Sequence, residues 1–160
     1  MQTARLGVYE LGEYMQAHGI QGEILHLSVT TPTVEAAALA VSAMPEQIIK
    51  SILFMVDEQP VLAIACGKSI IDRRVIADLY GVGKKRVKLA TPDMVIDISG
   101  YEVGAMPPFG HRQPLTTLID PRVLDSPESY AGGGAVDALV RLNPQEILRV
   151  TKAEVLDLLE

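Results

Sequence analysis

Tryptophan is absent from the 160 residues, phenylalanine occurs twice and cysteine once. With five tyrosines as the only other aromatics, the core has to be built from Val, Ile, Leu and Ala. The lone Cys66 excludes an intramolecular disulfide and agrees with a reducing compartment. At the end of an apolar run, Cys66 reads as a small buried hydrophobe rather than a nucleophile. No apolar run approaches the roughly 20 residues that span a bilayer, so no membrane partner is expected. Met1-Gln2-Thr3-Ala4-Arg5 opens on a polar mix instead of a signal peptide's apolar block. A cytoplasmic location is the expectation.

The familiar catalytic signatures are missing too. There is no G-x-S-x-G, H-E-x-x-H, P-loop or C-x-x-C. His18, His26 and His111 lie far apart in unlike settings, so no metal site and no cofactor are expected. A net charge of −6 argues against a general nucleic-acid coat protein. The charge is uneven, however. Between Lys68 and Lys88 seven basic residues stand against two acidic ones, a local +5. Lys84, Lys85 and Arg86 form its centre, either a docking patch for part of a polyanion or a solvated turn.

What is present fits one domain over residues 1–160, 48% hydrophobic and 21% charged. A helix is expected from Thr3 to His18, stopped by Gly19, and a strand over Glu23–Val29. Thr31-Pro32-Thr33 offers capping oxygens and a first-turn proline for a second helix whose buried stripe is Val34, Ala37, Ala38 and Val41. Ile48–Val56 and Val61–Ala65 read as an antiparallel hairpin with a four-residue loop, Asp57-Glu58-Gln59-Pro60. Asp72 caps a helix ending at Gly81, Val87–Ala90 is a short strand, and Thr91-Pro92-Asp93 opens a helix ending near Gly100. A loop follows to Pro114, then strands over Leu115–Ile119 and Val136–Leu142 with a triple-glycine turn, Gly132-Gly133-Gly134, between them. Asn143-Pro144-Gln145-Glu146 and Thr151-Lys152-Ala153-Glu154 resemble capping boxes and predict two short C-terminal helices. The pattern is α+β: a mixed, largely antiparallel sheet or barrel wrapped by helices.

Two features can carry chemistry. Lys50 shares a strand face with Ile52, Phe54 and Val56. A lysine there either packs its stem and keeps its amine wet, or aims an ammonium into a cleft. The stretch from Gly100 to Gly110 combines three glycines with Pro107-Pro108. Such a loop brings stiff backbone close to a ligand, and a plain surface turn uses the same residues.

Taken in order, Thr33-Val34-Glu35-Ala36-Ala37, Gln47-Ile48-Ile49-Lys50-Ser51, Gly100-Tyr101 with Gly104-Ala105-Met106-Pro107-Pro108-Phe109-Gly110, Ile119-Asp120, and Gly133 with Asp137 resemble the YbaK/prolyl-tRNA-synthetase-associated domain family. The resemblance runs from about Thr33 to Leu148. It implies trans-editing, hydrolysis of the ester that joins a wrong amino acid to tRNA, commonly tRNA(Pro). It also implies the acceptor end of mischarged tRNA and prolyl-tRNA synthetase as partners. Lys50 matches the family's functional lysine, and Gly104–Pro108 its GxxxP loop. On this resemblance Lys50, Gly104 and Ala105 are the catalytic candidates, with backbone N–H groups near Gly104 and Ala105 as oxyanion donors. Thr33, Met106, Pro108, Gly110, Gly133 and Asp137 are the substrate-binding candidates. Lys84, Lys85 and Arg86 are the tRNA-binding candidates. Pro107 stands where many relatives have Ser, and Tyr130 where some have a small hydroxyl residue, which leaves substrate identity open.

An aminoacyl ester is already activated, so positioning and oxyanion stabilisation suffice. A synthetase pocket rejects a smaller side chain by only about 1–3 kcal/mol per methylene, which is why a second pocket is needed. Small cargo such as Cys or Ala is expected. The competing expectations are a non-catalytic module that binds tRNA or a synthetase, and a hydrolase for another small ester or amide.

Overall fold

The computed structural model describes residues 4–160. The expected helix start at Thr3 lies outside the described residues, and residues 4–7, expected to be helical, are not: the helix begins after Gly7. Among the described residues, five α-helices surround two sheets, one mixed and one antiparallel, an α+β arrangement that does not close into a barrel.

The larger sheet has the order β4-β2-β3-β5-β8. Its centre is the hairpin of β2 (Ile49–Val56) and β3 (Gln59–Cys66), paired antiparallel from Ile49↔Cys66 to Val56↔Gln59. That register leaves a two-residue turn, not the four-residue loop expected. Asp57 (φ 48°) and Glu58 (φ 71°) both take left-handed conformations, the requirement of a tight turn between twisted strands. β4 (Val87–Leu89) adds to β2 antiparallel, whereas β5 (Thr116–Ile119) and β8 (Glu154–Val155) add in parallel. The smaller antiparallel sheet orders β1 (Gly22–His26), β7 (Ala138–Leu142) and β6 (Ser129–Gly132). One parallel bridge, Ile48↔Tyr130, joins the two sheets.

The alternation along β2 explains its apolar character on both faces. Ile49 and Leu53 enter one core with Leu11, Met15, Ile64, Phe109, Val140 and Ile147. Phe54 and Val56 enter a second, beneath α3 (Arg73–Tyr80), with Ile76, Ala77, Val87, Leu118 and Leu158. Ile76 and Leu118 are at most 1% exposed, each side chain gaining roughly 1.5–3 kcal/mol from burial. Arg73 lies 5.8 Å above the Phe54 ring. A third cluster seats α2 (Val34–Val41) on the smaller sheet through Ala37, Ala38, Ile48, Tyr130 and Leu139.

Local chemistry sets the helix ends. Thr33 Oγ1 accepts from the Ala36 N–H at 3.0 Å, a cap worth about 1 kcal/mol. Asp72 caps α3 through the Arg74 N–H, and Thr91 caps α4 (Pro92–Ser99) through the Met94 N–H. α1 covers Val8–Ala17, and α5 covers Gln145–Thr151. The second expected C-terminal helix is absent. Lys152 turns left-handed (φ 53°), and Thr151 Oγ1 donates back to the Ile147 carbonyl. The chain leaves α5 as β8 instead.

Candidate functional site

Between the bridge at Ile48 and the start of β4, the two sheets part and leave a cavity of about 470 Å³. One side is β2 from Ile49 to Leu53. The others are the entry to α2 (Thr31–Val34), the β4–α4 junction (Leu89, Ala90, Pro92, Val95), and Val103, Gly104, Met106 and Gly132. The walls are largely aliphatic, the setting in which a few polar groups fix a ligand's orientation.

Of the residues expected from the sequence, Lys50, Thr33, Gly104 and Met106 border this one cavity. They are brought together by β2, the α2 cap and the loop after α4. The Lys50 stem lines the wall, and its amine donates to the Ser69 carbonyl in the segment before α3. Burial pulls the Lys50 pKa down, with nearby Cys66 opposing that shift. Burial in turn pushes the Cys66 thiol up, reinforced by Asp120, Asp125 and Glu46, in keeping with a buried, unreactive sulfur.

The remaining candidates stand behind the wall. The Ala105 N–H donates to the Glu102 carbonyl at 3.1 Å, and its own carbonyl accepts from Gly134 at 2.9 Å. Ala105 therefore braces the loop. Pro108 is buried, and Gly110 abuts the Tyr14 ring. The Gly133 N–H bonds the Ala138 carbonyl, and the Asp137 carbonyl accepts from Leu27. These two order the β6–β7 turn and do not line the cavity. Lys84, Lys85 and Arg86 form an exposed 3₁₀ turn immediately before β4. Arg86 pairs with Asp57 at 2.5 Å, whereas no ion pair engages Lys84 or Lys85 among the described residues. No three His, Cys, Asp or Glu side chains gather to hold a metal ion among the described residues.

Three wall positions were not singled out from the sequence. Among the described residues, the buried Ser51 hydroxyl has no hydrogen-bond partner, on a largely apolar wall. Its position directly after Lys50 was the available signal. Gly132 approaches the loop so closely that a Cβ would lie 2.2 Å from the Met106 carbonyl oxygen. Val103, 57% exposed, forms an apolar rim.

Residues 29–150 match the family described as the aminoacyl-tRNA editing domain. The multifunctional Ser/Thr-tRNA deacylase ProXp-y of Escherichia coli (strain K12) is 30% identical over 100 residues, 62% of this chain and 59% of that protein. A proline–tRNA ligase of Geobacillus sp. (strain WCH70) is 32% identical over 88 residues, 55% of this chain and 15% of the ligase. A solved structure described as a candidate trans-editing enzyme for prolyl tRNA synthetase superposes with a TM-score of 0.88 at 33% identity, covering 96% of both chains.

Proposed function

The chain belongs to the aminoacyl-tRNA editing domain family, and from that premise we propose that it is a trans-acting deacylase for tRNA, foremost tRNA(Pro), mischarged with a small amino acid such as Cys or Ala. Water adds to the ester carbonyl carbon, the bond to the ribose oxygen breaks, and that oxygen leaves with a proton as the free hydroxyl. The observation that carries the reading is a single aliphatic cavity bordered by Lys50, Gly104 and Met106.

The cavity is of the size that holds a small ligand. Lys50 grips the phosphate or ribose side of the terminal adenosine as a compact cation. Gly104 lets backbone approach the ester, and the braced Ala105 keeps that wall in place. Prolyl-tRNA synthetase as a partner finds support in the ligase relative. The acceptor stem runs past Lys84 and Lys85, which are separated from the cavity wall at Leu89 by little more than the length of β4.

The test is a panel of aminoacyl-tRNAs incubated with wild type and Lys50→Ala. Hydrolysis of at least one small mischarged species, lowered about 100-fold or more by the substitution, is expected from loss of a charged contact. A wild type that binds these tRNAs but hydrolyses none would leave a binding module.

A further inference from the structure

Among the described residues, the cavity-facing edge of β2 lacks a strand partner where the proposed ester would lie. β4 pairs only with Phe54–Val56, and β6 packs beside β2 without a ladder, its one bridge, Ile48↔Tyr130, falling just before β2 begins. Between them, among the described residues, no strand pairs with Ile49–Leu53 on that side. In an antiparallel ladder the N–H and C=O of one residue point to the same edge, and successive residues alternate. The Leu53 carbonyl accepts from the Ala90 N–H at 3.0 Å, so Leu53 faces the β4 side. Ser51, two residues earlier, faces it as well, while Lys50 and Ile52 direct their backbone groups to β3. Ser51 thereby turns one donor and one acceptor toward the cavity that it lines opposite Gly104, Met106 and Gly132.

An aminoacyl ester is, in hydrogen-bonding terms, one residue of a strand. Its α-ammonium is a donor, and its carbonyl oxygen an acceptor at the spacing of a peptide residue's own N–H and C=O. We infer that the aminoacyl group docks on Ser51 as an antiparallel hydrogen-bonded pair, a one-residue extension of the sheet edge. The Ser51 carbonyl accepts from the α-ammonium, and the Ser51 N–H donates to the ester carbonyl oxygen. That oxygen gains negative charge as water adds, so the same N–H stabilises the tetrahedral intermediate. Directly opposed residues of an antiparallel pair send their side chains to the same face. The cargo side chain therefore lies beside Ile49, Ser51 and Leu53, while Lys50 stays on the other face, toward the nucleotide. Register on the strand edge, rather than a side-chain contact, selects an α-amino acid over other acyl groups.

The inference rests on the deacylase reading, and the experiment separates the two. The aminoacyl-tRNA hydrolysed fastest in the panel is compared with its counterpart carrying hydrogen in place of the α-amino group. Each kcat/KM is divided by the uncatalysed hydrolysis rate of the same ester, because the ammonium itself activates the carbonyl. The deaminated ester is expected to lose about 100-fold or more of its acceleration. Ser51→Pro removes the cavity-facing N–H without breaking a β2–β3 bond, and is expected to lower kcat about 100-fold while circular dichroism stays native. Should Ser51→Pro not fold, the substrate comparison decides alone. Equal acceleration of both esters, or a folded Ser51→Pro with wild-type kcat, would overturn the inference and leave the deacylase standing. A wild type inert on every aminoacyl-tRNA would instead remove the reading beneath it.

Discussion

His111 Nε2 lies 2.7 Å from the Pro107 carbonyl oxygen, and its ring meets Tyr101 edge-on with centroids 6.5 Å apart. The bond ties the outgoing half of the glycine-rich loop to the wall that carries Gly104 and Met106. A carbonyl accepts only, so Nε2 holds the proton.

Burial pushes the His111 pKa down to about 4, against the bond to Pro107, which acts to raise it. An unfolded histidine titrates near 6.5. Between those values the unfolded chain takes up a proton that the folded chain refuses. This contribution to stability is complete above about pH 6.5 and is lost as pH falls toward 4, by at most about 3 kcal/mol. His111→Gln keeps a donor and does not titrate. Urea unfolding at pH 7, 5.5 and 4.5 should show wild type losing more stability than His111→Gln. Parallel curves would acquit His111.

Two glycines of the site should respond differently to alanine. At Gly132 the new Cβ meets the Met106 carbonyl at 2.2 Å, a backbone atom that no rotamer change can move. Gly132→Ala should cost about 3 kcal/mol or more. Gly104 has φ +88° with open space around it, so Gly104→Ala carries only backbone strain, about 1–3 kcal/mol. Thermal denaturation of the pair checks the order. A Gly132→Ala protein as stable as Gly104→Ala would contradict the close approach of β6 to the loop.

How much of this was readable in the sequence follows from how local each determinant is. The caps at Asp72 and Thr91 act within three residues, and their helices start where the sequence places them, whereas α2 starts later, capped by Thr33 with Pro32 outside its first turn. Strand β6, Ser129–Gly132, is four residues with no periodicity and exists because β7 and Ile48 pair with it. The tight turn at Asp57-Glu58 lacks the Asn-Gly signal that announces such turns. Thr151 has the composition of a cap but spends its hydroxyl on Ile147, and parallel pairing with β5 claims the segment beyond. In the site, Lys50 and Gly104 were legible as residue types in a recognisable order. The Ser69 carbonyl that holds the Lys50 amine was not, because the contact depends on how the segment before α3 is folded.

That segment is itself held by Leu158 and Leu159, beyond β8, which Asp120 fixes in place. The buried Asp120 carboxylate accepts from the Arg122 N–H at 2.9 Å, Arg122 Nη1 at 2.8 Å and the Leu158 N–H at 2.9 Å. The Leu158 carbonyl accepts from the Asp72 N–H at 2.7 Å, and Ile71 bridges Leu159. Asp120→Ala strands the Arg122 and Leu158 backbone N–H donors, while the half-exposed Arg122 guanidinium keeps Asp157, and should cost about 2–4 kcal/mol. Native-state hydrogen exchange should show faster exchange at the Leu158 and Asp72 amides, with β1–β7 amides less affected. Uniform acceleration across both sheets would mean that Asp120 supports global stability alone.

The exposed 3₁₀ turn before β4 gives a prediction that needs no catalysis. Lys84 and Lys85 extend from a protein of net charge −6, so a tRNA that approaches does so against the overall charge and toward this local excess. Each phosphate contact removed should lower the slope of log K against log salt by slightly under one unit, about 0.7–0.9. Lys84→Ala with Lys85→Ala is therefore expected to reduce the slope by about 1.5 and weaken binding most at low salt. Arg86→Ala should act less, because its guanidinium is already paired with Asp57. Filter binding of a charged tRNA at roughly 50 to 200 mM salt compares both variants with wild type. An unchanged slope in the double variant would move the tRNA track to another face, and an Arg86→Ala effect larger than the double variant's would show that the Asp57 pair opens on binding.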